Sequence, residues 1–515
     1  MNLNRHIQMK PFFILAVFLI FFSSGNCQKS TDKPNIVLIY IDDLGYGDIG
    51  VNGAKGVKTP NIDYLANNGL NFTDAHSTAA TCTPSRYSLL TGQYAFRNKA
   101  QILEGDAPLI IDPNRRTLAD ILQDAGYTTG IVGKWHLGLG AGNVDWNKRV
   151  SPGPAELGFD YSFLIPATGD RVPTVFLENQ FVANLDPEDP ITINYGKQIP
   201  GGYPTGRTNP ELLKQYADNY HLSAVTNGIS RIGYMKGGEK ALWVDEKIPF
   251  VLTTKATDFI DKNKNNPFFL MYSFHDIHQP RIANVKFIGS SSMGPRGDVI
   301  AQMDWAVGEV TKKLQELGLE EKTLIIFTSD NGPILDDGYL DYARELVGDH
   351  KPGGPYKGSK YVVYEAGTRM PTICYWPGVI KPGTSQALLS QVDLYASLAD
   401  LVGQKLKNED APDSQAHWDA WAGKTNTART YLLEEAYNYA LRKDHWKYIQ
   451  PKENATTPGW MTAKFVDPGF LTQAQLFDLK NDPGETRNVS NDYPELVEEL
   501  EKQLSEIFKN PSKTK

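Results

Sequence analysis

The segment AATCTPSRYSLLTG, residues 79–92, places a cysteine just before a predicted helix. Thr83 is the predicted N-cap of this helix and Gly92 its predicted stop. Cys82 would therefore lie at the positive end of a helix dipole, with the cation Arg86 one turn further along. Because a cation in the first turn is unfavourable without a nearby anion, the pattern predicts that an anion lies beside Cys82 and Arg86.

Four apolar runs that lack alternation each end in polar side chains. They are NIVLIYIDD, which ends in Asp42 and Asp43; TTGIVGKWHLG, with Lys134 and His136; NPFFLMYSFHDIHQP, with His275, Asp276 and His278; and KTLIIFTSDNG, with Asp330 and Asn331. Continuous apolar runs are typical of parallel strands buried on both faces, and helical patterns lie between these runs. The sequence therefore predicts a doubly wound α/β fold. Because ligands of such sheets bind beyond the carboxyl ends of the strands, we expect the polar clusters to meet in one cleft.

The clustered side chains indicate a cation site beside an anion pocket. Any one aspartate could instead cap a helix, and a lone histidine is more often structural, so the inference concerns the set. The candidate ligands offer only oxygen atoms, which suits Ca²⁺ or Mg²⁺ rather than Zn²⁺: Asp42, Asp43, Asp330 and Asn331. Cationic or ionisable side chains surround them, namely Arg86, Lys134, His136, His278, Lys357 and Lys360. This combination predicts a pocket for a small oxyanion such as sulfate or phosphate, and that substrate would be the anion that Arg86 needs.

Composition narrows the possible function classes. The chain has 515 residues, of which 41% are hydrophobic and 22% charged, so it can bury at least one large core. Its net charge is −8 and its pI about 5.7, and it has no long basic run. Nucleic acid is therefore not an expected partner, and positive charge that binds an anion has to be local.

The N-terminal sequence predicts export. Residues 1–27 read as a signal peptide, because residues 12–22 form an apolar run that follows basic residues and is too short for a stable membrane span. Cys27 could be lipidated, or cleavage could follow it, which would leave a periplasmic or secreted protein. In the mature chain, Cys374 lies in the strand-like run MPTICYWPG and reads as a buried apolar residue. An unpaired Cys82 in an oxidising compartment then needs a chemical reason.

The motif CTPSRYSLLTG resembles that of the type I sulfatases, which is Cys-x-Pro-Ser-Arg followed by a leucine and Thr-Gly. The blocks IDDLGYGD, GKWHLG, FHDIHQP, TSDNG, GGPYKGSKYVVYEAGTRMPTICYWPG and LFDLKNDPGETRNV also look like family blocks, in family order. The resemblance spans nearly the whole mature chain and is weakest around residues 165–250. It implies an alkaline-phosphatase-like catalytic domain over residues 33–403. Residues 404–515 are expected to form a subdomain with a small antiparallel sheet, predicted from LLEEAYNYALRKDHWKYIQP, and a terminal helix.

In that family the motif cysteine is converted to Cα-formylglycine, whose hydrate supplies the nucleophile. The resemblance therefore implies that Cys82 is a precursor, and that a formylglycine-generating or anaerobic sulfatase-maturing enzyme is a partner. It also implies one Ca²⁺ per chain, with Mg²⁺ as an alternative. The implied ligands are residue 82 together with Asp42, Asp43, Asp330 and Asn331.

The resemblance also assigns roles to the residues that surround the nucleophile. Arg86 and Lys134 would hold the nucleophile and stabilise its charge. His136 would accept the proton when the sulfated intermediate collapses and releases sulfate. A gem-diol suits this step because its second hydroxyl can expel sulfate by carbon–oxygen cleavage.

Two further residues are implied at the leaving group. His278 and Lys360 would bind the sulfate and would protonate or stabilise the departing alcohol oxygen. Lys360 is preferred to Lys357 because it stands five residues before Glu365, as the family lysine stands before its acidic residue.

The substrate preference has to come from the loops. PATGDRVPTVFLENQFVANLDPEDPITINYG and GDHKPGGPYKG look similar to segments of bacterial N-acetylgalactosamine-6-sulfatase-like enzymes. This implies a 6-O-sulfate on a terminal galactose or N-acetylgalactosamine. Asp170 and Arg171 could bind sugar hydroxyls or could form an ordinary loop ion pair, and His350 could reach the sulfated ring. Trp446 and Trp460 could stack on a sugar or pack within the protein.

Other functions remain open at this point. The sulfate could lie at the 3- or 4-position or on a polymeric algal or mucin glycan. A phosphoesterase of the same superfamily would use a similar pocket, and an exported, catalytically silent glycan-binding protein could keep the pocket without formylglycine.

Overall fold

The computed structural model describes residues 1, 33–407 and 409–509. The predicted signal peptide, apart from Met1, lies outside the described residues, and so does Cys27. Among the helices in the described ranges, none combines the length and the apolar character that crossing a membrane requires. The chain from Pro34 onward forms one compact unit, and the proposed boundary between residues 403 and 404 stays a prediction.

The strands of the described residues are numbered in chain order. They are β1 (Asn35–Ile41), β2 (Leu70–Phe72), β3 (Ala75–His76), β4 (Thr128–Lys134), β5 (Tyr161–Ile165), β6 (Leu177–Glu178), β7 (Phe181–Val182), β8 (Thr192–Asn194), β9 (Val225–Thr226), β10 (Ile229–Ser230), β11 (Tyr234–Lys236), β12 (Phe268–Ser273), β13 (Thr323–Ser329), β14 (Thr372–Tyr375), β15 (Gly383–Ser385), β16 (Leu389–Ser390), β17 (Tyr431–Glu435), β18 (Tyr439–Lys443), β19 (Trp446–Ile449) and β20 (Gln475–Asp478).

The α-helices follow the same order. They are α1 (Pro60–Asn68), α2 (Cys82–Thr91), α3 (Leu118–Asp124), α4 (Ile248–Asn263), α5 (Gly294–Glu316), α6 (Ala343–Leu346), α7 (Glu365–Thr368), α8 (Leu394–Leu401), α9 (Trp418–Trp421), α10 (Gly459–Ala463) and α11 (Pro494–Lys509).

A ten-stranded sheet forms the centre of the fold, in the order β15-β2-β14-β13-β1-β12-β4-β5-β6-β7. Its middle strands, from β13 to β5, are parallel, whereas β14, β6 and β7 pair antiparallel with their neighbours. The four predicted apolar runs form β1, β4, β12 and β13, which confirms the predicted mostly parallel sheet. Ile41 of β1 pairs with Ser329 of β13, so both strands end at the same level.

Helices cover both faces of this sheet, as the doubly wound prediction requires. Along β1, Leu38 joins the core on one face, where α2, α3 and α8 pack. The next residue, Ile39, joins the core on the other face, where α1, α4 and α5 pack. Both side chains are fully buried, which explains why the strand is apolar at every position rather than at alternate ones.

Helix α2 differs from the prediction at its first residue. The helix begins at Cys82, and Thr81 precedes it in an extended conformation, so Thr83 is not the N-cap. The reason is a tertiary contact, because the Thr83 hydroxyl donates to the His136 carbonyl at 2.9 Å instead of capping the helix. Gly92 ends the helix as predicted, with φ of 60°.

The C-terminal residues form the predicted antiparallel sheet, in the order β17-β18-β19-β20. The strand β20 was not expected from the sequence. On one face of this sheet, Leu441 and Tyr448 share a core with Leu504 of α11. On the other face, Ala440 shares a core with Val362, which lies shortly before α7.

Gly133 allows a test of the close approach between β4 and its neighbouring strand β12. Its φ is +116°, and a Cβ there would lie 1.8 Å from the Ser273 carbonyl oxygen on the neighbouring strand. We expect Gly133→Ala to lower the free energy of unfolding by at least about 3 kcal/mol, because paired backbone cannot move aside. Urea denaturation measures this loss.

The matched control is Gly126→Ala. Gly126 also has a positive φ, of +84°, but no atom would meet its Cβ within 4 Å. This variant should lose only about 1 kcal/mol. If the two variants lost the same free energy of unfolding, the positive φ alone would explain why residue 133 is glycine, and the close approach to β12 would not be needed.

Candidate active site

The predicted ligand residues meet at the carboxyl ends of β1 and β13. Asp42 and Asp43 follow β1, Asp330 follows β13, and Cys82 begins α2. One ligand atom from each of these residues lies within 4.8 Å of the others. All of them are buried, so the cluster is a shielded site and not a solvated acidic surface.

The turn after β1 directs two adjacent carboxylates into one site. Asp43 has φ of 59°, a left-handed conformation that aspartate tolerates better than most residues. The Asp43 backbone NH donates to Asp330 Oδ1 at 3.2 Å, and the Asp330 NH donates to the Ile41 carbonyl at 2.9 Å. These bonds fix the two strand ends against each other.

Each carboxylate of the cluster pairs with a different cation. Arg86 Nη2 lies 2.7 Å from Asp330 Oδ2, and Lys134 Nζ lies 2.7 Å from Asp42 Oδ2. Lys360 Nζ lies 3.0 Å from Asp43 Oδ2. The anion that satisfies Arg86 is therefore Asp330, which corrects the expectation that the substrate would have to supply it.

The charges shift the pKa values in the directions that this pairing predicts. Burial and the nearby carboxylates of Asp330 and Asp43 raise the pKa of Asp42 to about 8, although Lys134 acts in the opposite direction. Although burial opposes it, Arg86 lowers the pKa of Asp330. Burial and the Asp330 carboxylate raise the pKa of the Cys82 thiol well above its usual value. Three carboxylates this close thus have a residual charge conflict, which a divalent cation would relieve.

Asn331 provides a second indication that the residues fit a hard cation. Its Nδ2 donates to Asp43 Oδ1 at 2.7 Å and to the Gly332 carbonyl at 2.9 Å, which fixes the amide orientation. Its Oδ1 is buried and has no hydrogen-bond partner among the described residues. A buried unpaired oxygen beside carboxylates suits Ca²⁺ or Mg²⁺, so the donor set fits the metal that the sequence predicts.

His136 lies beside the cluster as a neutral base. Its ring Nε2 donates to the Leu103 carbonyl at 3.0 Å, because a carbonyl can only accept. This leaves Nδ1 as the acceptor, and Nδ1 is buried without a hydrogen-bond partner in the described residues. Burial, Lys134 and Arg171 lower the pKa of His136 well below its usual value. His136 is thus neutral, with Nδ1 available as a hydrogen-bond acceptor.

His278 and Lys360 lie on the side of Asp43. The His278 Nδ1 donates to the Gln279 carbonyl at 2.5 Å, and its Nε2 lies 3.9 Å from Asp43 Oδ2. Burial and Lys360 lower the pKa of His278 to about 4. Although burial opposes it, the carboxylates of Asp337 and Asp43 raise the pKa of Lys360 well above its usual value. Lys360 is therefore the charged member of this pair, and His278 is neutral.

A cavity of about 500 Å³ opens onto these groups. It brings together the following residues that the sequence predicts: Cys82, His136, Asp170, Arg171, His278 and Lys360. Asp170 and Arg171 form an ion pair, with 2.7 Å between Asp170 Oδ1 and Arg171 Nη1, and both residues also line the cavity. The two readings of this pair from the sequence therefore do not exclude each other.

His350 is not among the residues that line this cavity. Its Nε2 lies 2.8 Å from Asp48 Oδ1, and its Nδ1 accepts a hydrogen bond from the Lys55 NH. Asp48 also pairs with Arg296 at 2.6 Å. The expectation that His350 reaches the sulfated ring is therefore not supported, because its ring is used in a buried ion-pair group.

The remaining lysine and tryptophan candidates lie in different parts of the molecule. Lys357 lines a different cavity, pairs with Asp467 at 3.2 Å and packs over the ring of Tyr364. Trp460 lines the Cys82 cavity, whereas Trp446 packs against Tyr493 on the C-terminal sheet.

Sequence analysis missed several residues of the cavity wall, among them His221, Asp337 and Lys464. Although burial opposes it, Asp170 and Asp218 raise the pKa of His221. Asp337 accepts from Lys360 at 3.0 Å and from Lys464 at 2.7 Å. The sequence gives no signal for His221, which lies in a region without periodic pattern. Asp337 follows the Asn331 motif closely, and this position is a signal that could have placed Asp337 near the site.

Comparisons with known proteins show the family of this chain. The family model described as Sulfatase matches residues 34–404, and one described as N-sulphoglucosamine sulphohydrolase, C-terminal, matches residues 357–510. The chain is 48% identical over 483 residues to an N-acetylgalactosamine-6-O-sulfatase of Bacteroides thetaiotaomicron, which covers 93% of this chain and 94% of that protein. It is 34% identical to human arylsulfatase A, over 92% of this chain and 87% of that protein.

A solved structure gives the same result. It comes from Bacteroides thetaiotaomicron and is described in connection with the metabolism of multiple glycosaminoglycans. It superposes with a TM-score of 0.90 at 48% identity and covers 94% of this chain and 100% of its own. With a family match over most of its length and these relatives, the chain belongs to the sulfatase family and is a sulfuric ester hydrolase.

Proposed function

We propose that this enzyme is a carbohydrate sulfatase that removes a 6-O-sulfate from a terminal galactose or N-acetylgalactosamine. The observation that carries the proposal is the position of Cys82. This residue is only 2% exposed, and it lines the cavity beside the carboxylate cluster and its paired cations. The 6-position is supported by the name of the 48% identical relative, an N-acetylgalactosamine-6-O-sulfatase. Action at a chain end belongs to the proposal because Cys82 is buried, so the sulfated sugar has to enter the cavity to reach it.

Residue 82 acts in this proposal as Cα-formylglycine, whose hydrate supplies an oxygen nucleophile and a second hydroxyl for the later release of sulfate. Arg86 and Lys134 hold the surrounding carboxylates in place and add positive charge next to residue 82. His136 Nδ1 accepts the proton that residue 82 gives up, because its other nitrogen is occupied by the Leu103 carbonyl. A maturing enzyme would need the chain before it folds, since the Cys82 side chain is buried.

A divalent cation, Ca²⁺ or alternatively Mg²⁺, belongs to the proposal as well. Residue 82, Asp42, Asp43, Asp330 and Asn331 would hold it. When bound, the ion neutralises the carboxylates and polarises the sulfate oxygens.

The leaving-group side is formed by Lys360 and His278. Lys360 carries the proton that the departing alcohol oxygen needs, and His278 binds the sulfate beside it. Asp170 and Arg171 bind hydroxyls of the sulfated sugar, because Arg171 keeps its Nε without a hydrogen-bond partner in the described residues. The N-terminal pattern supports export to the periplasm or the medium.

The substrate is tested with galactose, N-acetylgalactosamine and N-acetylglucosamine, each sulfated at the 3-, 4- or 6-position. The residue-82 peptide is first checked for the aldehyde by mass spectrometry, and sulfate release is then measured by ion chromatography. We expect release from the 6-sulfated galactose-type sugars. Cys82→Ala should lower kcat at least about a thousandfold.

The control for this experiment is Cys374→Ala. Cys374 is the other free cysteine among the described residues and is buried in β14, so its loss should leave the reaction intact. Release from only the 3- or 4-sulfated sugars would keep the sulfatase and overturn the 6-position. Greater turnover of the matched phosphate esters would favour a phosphoesterase, and glycan binding without any release would favour a binding protein.

The two lysines of GPYKGSK provide a matched pair for the leaving-group role. Lys360 is buried in the cavity, whereas Lys357 pairs with Asp467 outside it. We expect Lys360→Ala to lower kcat at least about a hundredfold, because the departing oxygen loses its proton donor. Lys357→Ala should retain kcat within about twofold. A larger effect of Lys357→Ala would reverse the assignment; steady-state kinetics on one 6-sulfated sugar decide between them.

The metal site is tested by thermal unfolding, independently of activity. Calcium should raise the Tm of the protein, because an ion at a hundred times its Kd stabilises the fold by about 2.7 kcal/mol. EDTA should reverse the rise, and Asn331→Ala should require more calcium for the same Tm, because it removes one ligand oxygen. An unchanged Tm at all calcium concentrations, for both proteins, would contradict the site.

A further inference from the structure

Three aromatic side chains form a shelf at the mouth of the Cys82 cavity. Tyr361, Tyr437 and Trp460 all line the cavity, and together we call them the aromatic shelf. The ring centroid of Trp460 lies 5.0 Å from that of Tyr361 and 5.6 Å from that of Tyr437. Trp460 is 37% exposed and Tyr437 46% exposed, whereas Tyr361 beneath them is nearly buried. The shelf thus presents apolar ring surface to the cavity opening instead of burying it in the core.

The aromatic shelf continues into a second cavity of about 390 Å³. Trp460, Lys464 and Asp218 line both cavities, so the two cavities adjoin at these residues. Exposed rings continue along the second cavity, where Phe465 is 68% and Tyr216 62% exposed. The Cys82 cavity and its neighbour therefore share an aromatic border at Trp460.

Hydrogen bonds fix the aromatic shelf relative to the leaving-group lysine. The Tyr361 hydroxyl donates to both oxygens of Asp337, at 2.9 and 3.0 Å. The same carboxylate accepts from Lys360 Nζ at 3.0 Å and from Lys464 Nζ at 2.7 Å. Lys464 directly follows α10, the helix that carries Trp460. One buried carboxylate thus holds the catalytic lysine and the shelf in a single arrangement.

We propose that the aromatic shelf is a subsite for the sugar that is attached to the sulfated residue. The C–H face of a pyranose ring is apolar and packs on aromatic rings, while its edge hydroxyls remain free for Lys464 and Asp218. The substrate is then an oligosaccharide end, and a free sulfated monosaccharide is a poorer substrate. This inference rests on the proposed function, because it needs the sulfated sugar in the Cys82 cavity.

The test compares one sulfated sugar in two contexts. N-acetylgalactosamine 6-sulfate is supplied free, and as the non-reducing end of a disaccharide, and kcat/KM is measured for each by sulfate release. We expect the disaccharide to be preferred about tenfold by the wild-type enzyme, from the apolar area that a second ring buries. Trp460→Ala should lower the ratio of disaccharide to monosaccharide kcat/KM about tenfold, and Tyr437→Ala should lower it less.

The matched control is Trp446→Ala. Trp446 packs on Tyr493 in the C-terminal sheet and is not part of the cavity lining, so this variant should keep the wild-type ratio. Equal kcat/KM for the two substrates in the wild-type enzyme would overturn the inference and keep the proposed function. The inference would be overturned in the same way if Trp460→Ala and Tyr437→Ala left the ratio unchanged. Release from neither substrate, with residue 82 converted to the aldehyde, would instead count against the proposed function.

Discussion

The burial of three carboxylates at the ends of two adjacent strands is the constraint on which the rest of the structure depends. A buried charge without a partner costs several kcal/mol, so each carboxylate has to meet a cation. The cations come from separate parts of the chain: Arg86 from α2, Lys134 from the end of β4, and Lys360 from the loop before α7. The residues that prepare the chemistry therefore also join distant segments, and the site and the fold are assembled by the same contacts.

The C-terminal sheet extends this arrangement to the segment that carries Cys82. The Ala80 NH donates to the Glu435 carbonyl of β17 at 2.7 Å, and the Ala80 carbonyl accepts from the Tyr361 NH at 2.8 Å. A second buried ionic group joins the sheet to α7, since Lys447 lies 3.0 Å from Glu365. The turn before Cys82 is thus held between the C-terminal sheet and the Lys360 loop. The position of Cys82 consequently depends on the C-terminal sheet as well as on the central sheet.

The sequence predicts those parts of the fold that leave a local pattern. Strands buried on both faces must be apolar throughout, so β1, β4, β12 and β13 can be recognised, as can the polar residues at their ends. The predicted start of α2 is wrong by two residues, because the Thr83 hydroxyl bonds to the His136 carbonyl, a contact between residues 53 positions apart. His350 is close in sequence to the Lys360 loop, but this does not determine where its ring points. In the structure the ring contacts Asp48. Conversely, His221 reaches the cavity from a segment with no periodic pattern.

Chemistry and substrate preference are supported by different kinds of structure in this enzyme. Asp42, Asp43 and Asp330 follow paired strands of the central sheet, where the backbone is fixed, whereas much of the cavity wall is built from loops and the short helix α10. Loops can change the sugar that fits without moving the strand ends. Asp337 is the exception, since it bonds to Lys360 on one side and to Tyr361 and Lys464 on the other. Through this residue, a change in the wall also reaches Lys360, so the wall and the Lys360 side chain are not independent at that one position.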